Sequence, residues 1–541
     1  MKTKKLFISF AAFVAASVLM SGCSNDESTA TTTTTTDQLT AFTGGIVTET
    51  PMERVQIGTS DSSTVVPGFT TRTSMNRSGI GVQGAFLWEP KDVIYVEDDK
   101  KKLCKSKSTI THAVASTTFL VDGSYTKGQY DVYYCGSNTG AGAKKVVIAN
   151  NQTQAAFNNT KHFGAAGDCG VAKAAKATVA GKRGYHFNLQ HKASYLCFLP
   201  YMAIKAQRAN FKIRRIEITS NNNISGTYGL TQEGLSGTGN SKTITLNVGR
   251  DGLKLADQAT ATKSIKNSLY VVIAPGTHAL KVKYTVLDAK NTVMTITKSY
   301  KSHNFGANKI CDIPVNLGVR HYSSGCNYYL WDAAENYWSG HEWDSADPWQ
   351  PTKNEATHDG YPQSKAADPS RWFHEGEGAF EASVNPLFKE IPNANEIGWY
   401  VLNGDAHWDK TTQWTVFGEL HTGGLWLKKL SVIAQENNKQ LADLKLKDPK
   451  GNDLRASPDY YYISPPHGKP ADNVIDKYFF LPALGYYYNG KLYALGFGGY
   501  YWSSSASPRF SREAPVLTFS SVNVCLLDSY RDCARVAQPF E

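Results

Sequence analysis

The 541-residue sequence predicts a mainly β chain of several domains that ends in an α+β unit. Three observations point there. Short runs of alternating apolar and polar residues recur from about Gly44, each bounded by Gly, Asn, Pro or Ser, which is the pattern of half-buried strands. Long helical periodicity is absent. Tryptophan is unevenly spread: ten of the eleven lie beyond residue 330, so the last part of the chain packs by different means from the rest. The length exceeds what one hydrophobic core supports, and two to four domains follow.

The chain starts with Lys2, Lys4 and Lys5, an apolar run over residues 6–20, and then Ser21-Gly22-Cys23. This order reads as a secretory leader. The small residues before Cys23 resemble a bacterial lipobox, which implies lipidation of Cys23 after removal of residues 1–22. Met20 departs from the usual leucine. The next residues, Ser24-Asn25-Asp26-Glu27, resemble the acidic export signal of Bacteroidetes surface lipoproteins, implying an anchor in the outer membrane with the protein facing outward. Residues 29–36 (TATTTTTT) have nothing to bury, and the expected tether covers 23–44. The formal charge is +10, of which three lysines belong to the leader. The rest is spread thinly, without a dense basic block interleaved with stacking aromatics, which argues against nucleic acid as a partner.

Phe86-Leu87-Trp88, the run KDVIYV ending at Val96, YDVYY ending at Tyr134 and Val146-Val147-Ile148 are predicted strands. Residues 71–74 (TRTS), the W…KDVIYV pair, 150–154 (NNQTQ) and 167–174 (GDCGVAKA) resemble the N-terminal domain of fimbrillin-family proteins, the Mfa-like pilin and accessory subunits. Residues 186–191 (HFNLQH), 193–198, 213–219, 224–227, 270–276 (YVVIAPG) and 310–317 (ICDIPVNL) resemble that family's second domain. The resemblance implies two tandem transthyretin-like β-sandwich domains, assigned to residues 45–178 and 179–318. It also implies trypsin-like cleavage after a basic residue that removes a first strand, followed by donor-strand addition from other fimbrial subunits. Arg72, just before the Thr-Ser of the pattern, is the first choice of cleavage site and Arg54 the second; both also read as ordinary loop arginines. His191 is expected to be a structural hydrogen-bonder, since no second ligand is spaced near it.

Residues 479–505 (FFLPALGYYYNGKLYALGFGGYYWSSS) combine apolar runs with an Asn489-Gly490 turn and a glycine cluster. Asn-Gly supplies two consecutive positive φ angles, so this is hairpin chemistry. With residues 514–519 (APVLTF) and 529–536 (SYRDCARV), the stretch resembles the FISUMP domain of the C-type-lectin-like group. Arg531 and Arg535-Val536 match its closing pattern, while Cys533 stands where glycine is usual. The resemblance implies an α+β C-type-lectin-like domain over residues 319–541. A short amphipathic helix is expected over residues 425–435.

Trp338, Trp343, Trp349 and Trp372, with Asp344 among them, are the candidate ligand-binding residues. Exposed rings stack on the apolar faces of sugars, and neighbouring acids orient the hydroxyls; core packing is the competing use of the same rings. Enzyme signatures fail on spacing: neither His341-Glu342 nor His374-Glu375 has a second histidine at the HExxH position, and there is no GxSxG elbow or Walker loop. Asp405 and Asp409 are read as solvated loop residues. Eight cysteines besides Cys23 permit disulfides in an exported chain, with Cys525 and Cys533 as a candidate pair; no metal motif and no cofactor is indicated. The expectation is a non-catalytic fimbrial tip or accessory subunit, an adhesin at the cell surface whose lectin-like head contacts a host or bacterial glycan or protein. A stand-alone glycan-binding lipoprotein is the alternative, and an enzyme on the lectin-like scaffold a remote one.

Overall fold

The computed structural model describes residues 39–45, 54–56, 65–66, 74–77, 84–137, 144–179, 181–208, 211–261, 264–322 and 327–540. Cys23, Arg72 and Cys326 lie outside them. The protein is mainly β.

Strand β1 (Thr40–Gly44) sits inside an eight-stranded sheet, antiparallel to β2 (Thr117–Val121) and parallel to β3 (Lys182–Phe187). The sheet curls round its own core, because Gly170–Val179 pairs along one half with Gln129–Tyr134 and along the other with β3. Aromatic rings fill the inside. Phe42 of β1 stacks on Tyr185 at 4.9 Å and meets Tyr125 edge-on at 5.0 Å, while Trp88 packs on Phe119 and Tyr134. Two boundaries differ from those expected. Residues 40–44 are strand, not tether, because alternate side chains find this core. The cut at 178/179 passes through the paired hairpin formed by Gly170–Val179 and β3, so the first sheet runs on to Gln190–His191.

Two further sheets share one core over the next part of the chain. Leu269–Ile273, Ser194–Tyr201 and β4 (Ile310–Asn316) run side by side from one edge of one sheet and are buried almost throughout, as strands covered on both faces are. In the other, Thr243–Val248, Lys212–Ser220 and Gly276–Leu287 alternate between core and solvent. Residues 145–154 leave the first sheet to join this region: Asn151–Gln154 pairs parallel with Thr243–Val248. The amide of Gln152 accepts from Val272 N and donates to its carbonyl, and Gln154 accepts from Tyr270 N and donates to the carbonyl of Ser268. These side chains satisfy main-chain groups along the edge of Leu269–Ile273 and give the NNQTQ motif its physical reason.

A hairpin of Ser74–Arg77 and Gly84–Leu87 is pinned to β4 by a buried bidentate ion pair, Arg77 to Asp312 at 2.7 and 2.6 Å. His191, expected to be structural, is fully buried and shares a hydrogen-bond cluster with Asp168 and Tyr195.

The last region holds a four-stranded sheet built on β5 (His407–Val416) and β6 (Glu419–Lys428), and a six-stranded sheet. Between them lies helix α1 (Ala394–Asn403), started by a capping box in which Asn393 and Glu396 satisfy each other's backbone N–H. The expected helix over 425–435 is half right. Residues 425–428 belong to β6, paired with Tyr478–Pro482, and the helix is Leu430–Glu436; cross-strand pairing has overridden the local helical spacing. Ribbon strands β7 (Tyr486–Tyr488) and β8 (Lys491–Tyr493) flank the Asn489-Gly490 turn, whose φ angles of 47° and 72° are the expected positive pair. β9 (Gly498–Trp502) and β10 (Val524–Tyr530) lie in the six-stranded sheet, which also pairs Tyr328–Tyr329 with Arg535–Val536. This region touches the preceding one through the β5–β6 hairpin: Gln207 donates to Thr415 at 2.8 Å, Leu420 N donates to Asp288, and Lys290 pairs with Glu419.

Candidate binding surface

The tryptophans singled out in the sequence part into two uses. Trp338 is fully buried among Tyr337, Tyr487 and His358, so it presents no face to a ligand; a loop-rich segment has used it as core. Trp349 is half-buried, but His341 stacks on its indole at 3.2 Å and His358 at 5.4 Å. Its Nε1 donates to Asp347, which also lies 3.5 Å from His341. A ring flanked by two imidazoles is not an open platform. Trp343 leans edge-on against Phe417, and Trp372 donates to Glu375; both are half-buried, and Asp344 is exposed. The structure therefore does not bring these five residues together as one aromatic shelf.

Other acids of this region are structural. Asp332 is buried and accepts from the backbone N–H of Ser383, Val384 and Asn385 and from His374. Asp409 is not the solvated residue expected: it is buried and accepts from Thr411, Thr412 and Trp426, which hold its carboxyl below the usual range against the opposing effect of burial. Cys525 and Cys533 are free thiols. Cys525 sits near the start of β10, and the five extended residues to Tyr530 carry the chain about 16 Å away before the turn holding Cys533, beyond disulfide reach. Among the described residues no group of three or more His, Cys, Asp or Glu is placed to hold a metal.

The open aromatic surface lies elsewhere. Alternation along the β7–β8 ribbon sends Tyr487 and Leu492 into the core and leaves Tyr486, Tyr488, Lys491 and Tyr493 on the outer face. Tyr486 and Tyr493 face each other across the ribbon, stacked at 5.3 Å, and Tyr500 of β9 closes on Tyr486 at 4.5 Å. Beneath them is Arg535, 8 % exposed, its guanidinium carbon 4.9 Å from the Tyr486 ring, 5.0 Å from Tyr500 and 5.7 Å from Trp502. Its Nε and Nη2 donate to Ser529, and Nη1 has no acceptor. Burial pulls this guanidinium below its ordinary pKa. The signal was in the sequence: residues two apart on each side of an Asn-Gly turn share a face.

A second feature concerns β1. It contributes the fully buried Phe42 and separates β2 from β3, whose facing edges it satisfies along its length. Arg54 lies in a short strand, Arg54–Gln56, that pairs with β4.

No family model matches the sequence, and no curated protein matches it. Among solved structures, a candidate cell adhesion protein from Bacteroides ovatus is 12% identical, covering 48% of this chain and 90% of that one with a TM-score of 0.25. One from Bacteroides uniformis is 14% identical over 49% of this chain and 90% of its own, with a TM-score of 0.24. A fimbrial protein from Bacteroides ovatus is 9% identical over 90% of this chain and 99% of its own, with a TM-score of 0.20. Similarity at this level fixes neither fold nor function.

Proposed function

We propose that this chain is a lipid-anchored, non-catalytic adhesin of the outer cell surface, a tip or accessory subunit of a fimbria, with residues 319–541 as its contact head. The observation that carries the reading is the place of β1. It is the earliest described strand, yet it is an interior strand of the first sheet. Removing it opens two backbone edges facing one another and vacates the Phe42 site, which is the acceptor groove that strand addition needs. A cut after Arg72 separates β1 from a body clamped by Arg77 and Asp312; a cut after Arg54 does the same. The strand Arg535–Val536 is paired with Tyr328–Tyr329 on one side and Tyr501 on the other, so it is not free to be donated, which favours a place at the end of a fibre.

The test uses full-length protein treated with an arginine-specific endoprotease. Cleavage is expected within residues 46–73, and the trimmed protein should bind a synthetic peptide of residues 39–45 in trans, with Phe42→Ala peptide failing to bind. Resistance of that stretch to the protease, or a trimmed protein that ignores the peptide, overturns the reading. Fibre fractions probed for this chain separate it from a surface lipoprotein that never polymerises.

A further inference from the structure

We propose that the outer face of the β7–β8 ribbon, together with Tyr500, is a saccharide subsite that selects an acidic sugar, Arg535 supplying the charge. The proposal rests on the reading of residues 319–541 as a contact head and names what that head takes. Three half-buried phenols, Tyr486, Tyr493 and Tyr500, stand in ring contact on one surface, with Tyr488 42 % exposed next along the strand. Phenol rings offer an apolar face for the C–H side of a pyranose and a hydroxyl for its rim. Hydrophobic packing alone does not require a cation beneath them, yet Arg535 is there.

Among the described residues its charge meets no carboxylate. Nε and Nη2 are held by the neutral hydroxyl of Ser529, Nη1 has no acceptor, and ring quadrupoles supply the rest. By contrast, Arg77 has Asp312 and Arg455 has Asp453. A buried guanidinium without a counter-ion leaves a positive potential at the ring surface, because little water intervenes to screen it. A carboxylate carried by a sugar lying on the phenols is drawn by that potential across the rings, without direct contact with the buried Nη1. Lys491, over the Tyr493 ring at 5.0 Å, already has its charge met by Glu355, so the selection rests on Arg535.

Calorimetry on the full-length protein tests this, with oligogalacturonate and its neutral counterpart oligogalactose as probes and poly-glutamate as a charge control. Oligogalacturonate is expected to bind at least tenfold tighter than either. Tyr493→Ala and Tyr486→Ala should each weaken it tenfold or more with the protein still folded at the assay temperature, and Arg535→Lys should narrow the gap between acidic and neutral probes. Equal binding of acidic and neutral sugars overturns the charge selection, and poly-glutamate binding as well as oligogalacturonate overturns the sugar. Binding that survives both tyrosine variants, or no binding by any probe, overturns the site. The protease and peptide test does not involve the ribbon, so failure here and failure of the fimbrial reading are separate results.

Discussion

Arg77→Ala is the most informative perturbation of the body. The two side chains are 1 % and 0 % exposed, and they meet as a fork at 2.7 and 2.6 Å. Burial alone pulls the Arg77 guanidinium down in pKa, and the hydrogen bond and charge of Asp312, with smaller help from its neighbours, more than reverse that, so Arg77 stays charged. Deleting the arginine strands a carboxylate in the interior, which costs about 3–5 kcal/mol, a large share of a typical domain's stability. Replacing both partners with apolar residues, Arg77→Met with Asp312→Leu, removes the stranded charge and is expected to recover most of the loss. The assay is urea denaturation followed region by region with hydrogen exchange, read at Ile310–Asn316 and at the Ser74–Arg77 hairpin. A loss under about 1 kcal/mol, or a double variant as damaged as the single one, refutes the reasoning.

Other outcomes follow from the same geometry. Burial holds His162 and His421 neutral at a pKa of about 4 against an ordinary 6.5, so protonation favours the unfolded chain. Their contribution, roughly 3 kcal/mol each, is complete above pH 6.5 and is lost as pH falls toward 4; His421→Phe should flatten that slope in a pH-resolved melting series. Gly490→Ala should cost at least about 2 kcal/mol by denaturation, because φ is 72° and the added Cβ would press on the carbonyl of His358. Trp338→Ala should cost about 3–5 kcal/mol. Trp338→Phe should stay within about 1.5 kcal/mol, since the buried indole Nε1 has no acceptor to lose.

Local pattern made part of this fold legible. Alternating runs gave Gln129–Tyr134 and Lys145–Ile148 nearly at their observed limits, and Asn489-Gly490 gave the turn with its backbone angles. Partnership was not legible. Nothing near residues 151–154 says that this strand leaves its neighbours to pair with Thr243–Val248, because period-2 alternation reports a face and carries no address. The binding surface failed for a related reason. Trp338 and Tyr493 look alike as aromatics beside polar residues, and only the tertiary arrangement buries one and leaves the other on a ribbon's outer face. Residues 425–428 follow helical spacing locally yet form a strand, because their partner, Phe480 opposite Trp426, lies more than fifty positions away and leaves no local mark.

The antiparallel match of Tyr328 with Val536 has an evolutionary consequence. The first and last described strands of residues 327–540 are therefore neighbours, about 5 Å apart. A unit hinged in that way can be grafted onto an unrelated scaffold, or exchanged for another of its kind, without stretching either attachment.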